Sequence, residues 1–270
     1  MCINFLRYAI ISEKGGFFVK SYQKESDYSY TLGVFPTIEL LKNKVAYVEK
    51  VILHSLAYKN SGIPVIETLC EENNIPIEIS DKTINKLSKK GNCYAIGVFK
   101  KYPMHLQETN HVLLVNPSDM GNMGTIIRTM QGFGYQDLGI IRPGVDVFDP
   151  KVIRASMGAI FNMNIEYFDH FEEYRKRYPH VMYPLMLKGA TNIHQITPTK
   201  EHHTLIFGNE SSGLPDGYLD YGQSIFIPHS SKIDSLNLSM ALGITLSYFS
   251  KDQFKDMTAL DFEKAIKNKD

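Results

Sequence analysis

Three cysteines in 270 residues, Cys2, Cys70 and Cys93, form no CxxC pair and are odd in number. That argues against a disulfide scaffold and against a zinc ribbon. No apolar run approaches the ~18 residues of a membrane-spanning helix. The stretch Met1 to Lys14 carries Arg7 inside a short apolar run and lacks the basic-apolar-small order of a signal peptide. The expectation is a reduced, cytoplasmic protein. Familiar nucleotide signatures are missing too. Gly132-Phe-Gly134 ends a helix pattern where a GxGxxG would open one, and there is no GxxxxGK[ST]. Gly208-Asn-Glu-Ser-Ser-Gly213 fails the GxSxG spacing of a nucleophile elbow for both serines. The adjacent His202 and His203 would point to opposite faces of a strand, so they read as surface or edge residues and not as a metal pair.

Net charge is likewise absent, but only in the sum. Residues 1–103 hold 14 Lys and Arg against 10 Asp and Glu, a balance of +4, and residues 104–270 hold 15 against 19, a balance of −4. A basic face on the first part, or simply a solvated surface, accounts for this. Hydrophobic residues make up 43% and charged residues 21%, ordinary for a globular chain able to bury one large core or two smaller ones.

Apolar runs alternate with helix-like stretches along the chain. After an aromatic lead-in, Tyr28 to Thr37, strands are expected at Val51–Ser55, Ile75–Ile79 and Tyr94–Phe99, with short helices at Pro64–Asn73 and Thr83–Lys89. Tyr102 to Asn110 then reads as a linker between a first unit, 1–103, and a second, 104–270. The second unit opens with the buried strand His111–Val115. It continues with a helix from Asn122 to Phe133, a strand at Asp137–Ile141 and a helix capped by Asp149-Pro150. Further strands are expected at Val181–Leu187, Thr204–Phe207 and Ser224–Ile227. Ser235 to Ser250 fits the period-two alternation of a strand as well as helical spacing, and its sixteen uncharged residues, long for a strand, favour a largely buried helix. Such alternation implies an α/β fold with a mostly parallel sheet, whose ligands bind beyond the carboxyl ends of the strands.

Three loops sit at such ends. The first runs from Asn116 through Gly121, Asn122 and Gly124 to Arg128. Gly124 and Arg128 share a helix face, and the missing side chain leaves room before the guanidinium. The helix start could hold an anion. The second places Glu210 between Gly208 and Gly213. The third joins Ile227-Pro228 to Ser235-Leu236-Asn237-Leu-Ser239, where Ser235 can cap the following helix. Taken singly, each loop also reads as an ordinary helix start, turn or cap.

In order and spacing the three loops resemble the signature motifs of the SpoU (TrmH) family of RNA ribose 2′-O-methyltransferases, within the SPOUT superfamily. Arg154-Ala-Ser-Met-Gly-Ala159 is similar to the family's stretch between the first two motifs. His229 stands where methionine commonly follows the Ile-Pro pair. The resemblance covers about residues 108–250. It implies a parallel sheet with a C-terminal deep trefoil knot, preceded by a small ribosomal-protein-like α/β domain that grips RNA. It also implies S-adenosylmethionine as cofactor, near Leu187, Gly208, Asn209, Ile227, Leu236 and Asn237. Arg128, Asn122, Glu210, Ser235 and Asn237 would be the catalytic set. A guanidinium holds its proton at neutral pH, so Arg128 suits stabilisation of a forming alkoxide better than base catalysis. The ribose hydroxyl points to RNA and not DNA, with ribosomal RNA placed ahead of transfer RNA. A homodimer through the knot region is implied as well, and no metal is implied. Transfer RNA as substrate, and a catalytically silent RNA-binding protein of the same fold, are the alternatives.

Overall fold

Runs that read as apolar in the sequence become strands buried on both faces. The computed structural model describes residues 19–88 and 91–267. The expectations for Met1 to Lys14, and Cys2, lie outside them. The first unit contains β1 (Tyr28–Tyr30), α1 (Val34–Asn43), β2 (Val48–Leu53), α2 (Ile63–Glu72), β3 (Ile77–Ile79), α3 (Asp81–Leu87) and β4 (Ala95–Lys100). Its sheet runs β1-β4-β2-β3, with β2 and β3 parallel and the other pairs antiparallel. The lead-in is therefore structured. Pro36 lies in the first turn of α1, where its missing N–H leaves no hydrogen bond unmade.

The second unit is built on β5 (His111–Val115), α4 (Met120–Gly132), β6 (Asp137–Ile141), α5 (Pro150–Ala155), β7 (Asn164–Phe168), α6 (Phe171–Arg177), β8 (Val181–Pro184), β9 (Thr191–Asn192), β10 (His203–Phe207), β11 (Ile225–Phe226) and α7 (Leu238–Phe249). Its main sheet is parallel throughout, in the order β7-β6-β5-β10-β8. Every residue of β5, β6 and β10 is buried, which is why those runs carry no alternation. Ile126, Ile153 and Leu242, from α4, α5 and α7, cover one face of the sheet. Phe171 and Tyr174 of α6 cover the other.

Several expectations change here. The Ser224–Ile227 strand shrinks to β11, which pairs with β9 and meets the main sheet only through a bridge between Leu185 and Ile225. Pro228, two residues after its end, has no N–H with which to extend a ladder. His203 is no surface residue: β10 lies inside the sheet, and the ring is hydrogen-bonded to Tyr135 Oη at 2.7 Å. Burial pushes its pKa down to about 4. Helix α7 buries Leu238, Leu242 and Leu246 on one face only, while Met240 and Ile244 stay 61% and 40% exposed.

Residues 102–110 are not a free linker. Tyr102 and Leu106 are buried, and the backbone N–H groups of Leu106 and Gln107 donate to Glu166 (3.0 Å) and Asp137 (2.7 Å). The two units share a core, because Leu40 and Phe99 belong to the same buried cluster as Ile153 and Phe161. Phe99 and Phe161 meet edge to face, with ring centroids 5.4 Å apart. Gly158 permits this approach. Its φ is +82°, and a Cβ there would lie 2.7 Å from Cβ of Glu39 on α1. Among the described residues no helix is long and apolar enough to cross a membrane.

Candidate active site

The first loop leaves β5 through Asn116, a left-handed residue (φ +53°) whose Nδ2 donates to the Arg142 carbonyl at 2.7 Å. Asp119 then caps α4, its Oδ1 accepting from the Asn122 N–H at 2.7 Å. Gly124 serves packing. A Cβ there would lie 2.3 Å from Ala155 Cβ and 2.8 Å from the Ser156 nitrogen, so the glycine lets α4 rest on α5. That replaces the expected space before Arg128.

The second loop closes on itself. Asn209 and Gly213 form an antiparallel bridge, and a Cβ on Gly208 would fall 2.1 Å from the Gly213 carbonyl carbon. Gly208 is thus required by chain meeting chain. The loop presents Glu210 to the approach of α4. Its carboxylate accepts from Ser118 N (3.1 Å), Ser118 Oγ (2.9 Å), Asp119 N (3.1 Å), Asn122 Nδ2 (3.4 Å) and Asn209 Nδ2 (3.4 Å). The anion expected at this helix start is the protein's own. Partial burial would raise the Glu210 pKa, but the hydrogen bonds from the Ser118 side chain and from backbone N–H groups outweigh it and hold the carboxyl below its ordinary value.

The third loop delivers Asn237, and not Ser235, as the cap of α7. Asn237 Oδ1 accepts from Ser239 N at 2.9 Å and from Ser239 Oγ at 2.7 Å. Its Nδ2 donates to Asn122 Oδ1 at 3.1 Å. A carboxylate at one end and backbone N–H groups at the other therefore fix both amide orientations. Glu210, Asn122 and Asn237 form one directional chain, with one member from each loop. Ser118 and Asp119, which donate to Glu210, are the members of this network that the sequence did not single out. Their signal was an Asp preceding the helical run, the ordinary N-cap pattern.

Arg128 and Ser235 do not join this chain. Arg128 is exposed on α4, six residues beyond Asn122 and so about 120° away around the helix. No described residue forms a hydrogen bond or ion pair with it. Beside the network lies a cavity of about 150 Å³ between the ends of β8 and β11 and the start of α7. Leu187, Ile227 and Leu236 line it, as do Ser235, His229 and Asp234. Gly208, Asn209 and Asn237 fall outside that lining. The Asn209 amide is engaged by its own loop, accepting from Ser211 N (2.9 Å) and donating to the Asn116 carbonyl (2.8 Å).

Residues 109–247 match the SpoU rRNA methylase family. A 23S rRNA (adenosine(1067)-2′-O)-methyltransferase of Streptomyces azureus is 26% identical over 232 residues, which cover 75% of this chain and 85% of that one. The SpoU methyltransferase AviRb of Streptomyces viridochromogenes superposes with a TM-score of 0.73 at 18% identity, covering 85% of this chain and 91% of that one, a likeness of fold. A structure concerning the 2-OH methylation of C/U34 on tRNA reaches a TM-score of 0.50 at 25% identity, over 55% of this chain and 98% of that one. The chain spans 27% of one matched relative and 85% of another.

Proposed function

The chain belongs to the SpoU rRNA methylase family, which draws on S-adenosylmethionine to methylate RNA riboses, and we propose that it methylates a ribose 2′-hydroxyl of ribosomal RNA in the cytoplasm. The observation that carries this reading is the Glu210–Asn122–Asn237 chain, which locks three loops together at the carboxyl edge of a parallel sheet. The relative that aligns beyond the second unit, over 75% of this chain, acts on ribosomal RNA. The tRNA-related structure covers only 55%. Residues 1–103 then supply much of the RNA grip, and residues 104–270 carry the chemistry. Free, buried Cys70 and Cys93 suit a reducing compartment.

The cavity fits the cofactor in kind. Its walls are mostly apolar, as an adenine requires, and Asp234 is its one carboxylate. Leu187, Ile227 and Leu236 would flank the base. Gly208, Asn209 and Asn237 hold the surrounding loops in shape. When bound, S-adenosylmethionine supplies an activated methyl on a sulfonium. The chain's own work is orientation and charge. Asn122 and Asn237, fixed by Glu210, hold the ribose with Ser235 nearby. Arg128, with no hydrogen-bond or ion-pair partner among the described residues, stabilises the forming alkoxide and the adjacent phosphate.

Strand β10 enters the sheet between β5 and β8, both of which precede it in the chain. That order supports the trefoil knot of the family. Met240 and Ile244, exposed on α7, support a homodimer through the same region. The deciding experiment is methyl transfer from labelled S-adenosylmethionine to ribosomal and transfer RNA, with the ribose-methyl site mapped. Label in transfer RNA alone would overturn the substrate, and label in neither would overturn the reaction.

A further inference from the structure

Among the residues lining the cavity, only Asp234 and His229 are ionisable, and Asp234 is the only carboxylate. No described residue forms a hydrogen bond or ion pair with Asp234. It lies three residues before Asn237, within about 10 Å along the chain of the amide that ties this loop to Asn122. It is an exposed residue of the same loop as Asn237. The cavity also meets the start of α7, with Leu236 just ahead of the cap and Ala241 in the early turns, both in the lining. A helix N-terminus carries partial positive charge, the wrong sign for a cationic ligand beside it. The unpaired carboxylate supplies the opposite sign.

We infer that Asp234 is a specificity-determining residue which favours the sulfonium form of the cofactor over the thioether left after transfer. The inference rests on the cofactor reading above. In the transfer, the sulfur–methyl bond breaks with its electron pair remaining on sulfur, an oxygen–methyl bond forms, and the hydroxyl proton is released. The ligand therefore goes from one net positive charge to none. A carboxylate close to the sulfur holds the first species and releases the second. A carboxylate that met only the ligand's ammonium would hold both alike, because the product keeps that group.

Calorimetry on the full chain tests this with three ligands: S-adenosylmethionine, S-adenosylhomocysteine, and an analogue bearing an ammonium in place of the sulfonium. Exposed ion pairs change affinity by up to about fivefold. Asp234→Asn is therefore expected to weaken the two cationic ligands by about that factor and to leave S-adenosylhomocysteine within about twofold, with Asp234→Glu restoring much of the difference. Equal weakening of all three ligands would make Asp234 a loop-shaping or ammonium-binding residue and overturn the inference, as would no change in any of them. Wild-type protein that binds none of the three would overturn the cofactor reading itself. Matched thermal unfolding curves confirm that each variant is folded.

Discussion

Replacing Glu210 with glutamine separates shape from charge at the centre of the network. The carboxylate accepts five hydrogen bonds through its two oxygens: Oε2 serves Ser118 N, Ser118 Oγ and Asn209, and Oε1 serves Asp119 N and Asn122. A glutamine must present an NH₂ group on one side. Either way, a backbone N–H, of Ser118 or of Asp119, then faces another donor. Ser118 Oγ can rotate and accept, but a backbone N–H has no such freedom. Hydrogen bonds to a charged group contribute about 1.5–3 kcal/mol each, and the partial exposure of this site lets water replace some of that. A net loss of about 1–3 kcal/mol is expected, or roughly 2–10 °C in Tm for a chain of this size. The chemical effect should be larger. If Asn122 turns its oxygen toward the new NH₂, its own amide nitrogen meets Asn237 Nδ2, and the orientation of both amides is lost. Single-turnover methyl transfer should fall by about 10²-fold, the usual scale for a disturbed charge-stabilising site, with cofactor affinity changed far less. The pH dependence gives an independent check. Because the Glu210 pKa is depressed in the folded state, its stabilisation is present above the ordinary carboxyl range near 4.3 and is lost as pH falls through the depressed native value. Glu210→Gln should lack that acid limb, so the two proteins converge in stability at low pH. A variant with wild-type rate, wild-type Tm and an unchanged acid limb would refute the reasoning.

Arg128→Ala should keep the fold and the affinity for S-adenosylmethionine while slowing single-turnover transfer by about 10²-fold or more, and Arg128→Lys should recover little, because an ammonium cannot reproduce the planar fork on ribose and phosphate. A lysine variant as fast as wild type would show that charge alone suffices. Gly124→Ala would bring a Cβ to 2.3 Å from Ala155 Cβ, so α4 and α5 must separate, and overpacking of this kind costs about 1–3 kcal/mol; an unchanged Tm would refute close packing there. Met240→Glu, on the exposed face of α7, should convert a dimer to monomer in sedimentation analysis without unfolding the chain, and a wild-type protein already monomeric at working concentration would refute the dimer.

The sequence was most legible where one local force acts alone. The limits of β5 and β6 show in the sequence because strands buried on both faces leave uninterrupted apolar runs, and the start of α5 shows because Asp149 caps it and Pro150 suits its first turn. The members of the site were legible for a different reason. Asn122, Glu210 and Asn237 recur at spacings that resemble a known family, yet no spacing reveals that their amides and carboxylate are joined in a single direction. That order depends on contacts between residues 88 and 115 positions apart. The packing role of a glycine is hidden for the same reason. A glycine shows in the sequence as missing bulk, but what fills the gap is set by tertiary packing: at Gly124 it is α5, and at Gly208 the chain of Gly213. The packing between the two units is the least legible feature. The polar residues between Tyr102 and Asn110 look like a linker until Asp137 and Glu166 are seen accepting from their backbone. Phe99 and Leu40 look like core residues of the first unit until they are found packed with Ile153 and Phe161 of the second. The unit that would grip RNA is thereby built against the same helix, α5, on which α4 rests, so packed contacts run from the first unit to the helix that carries Asn122 and Arg128.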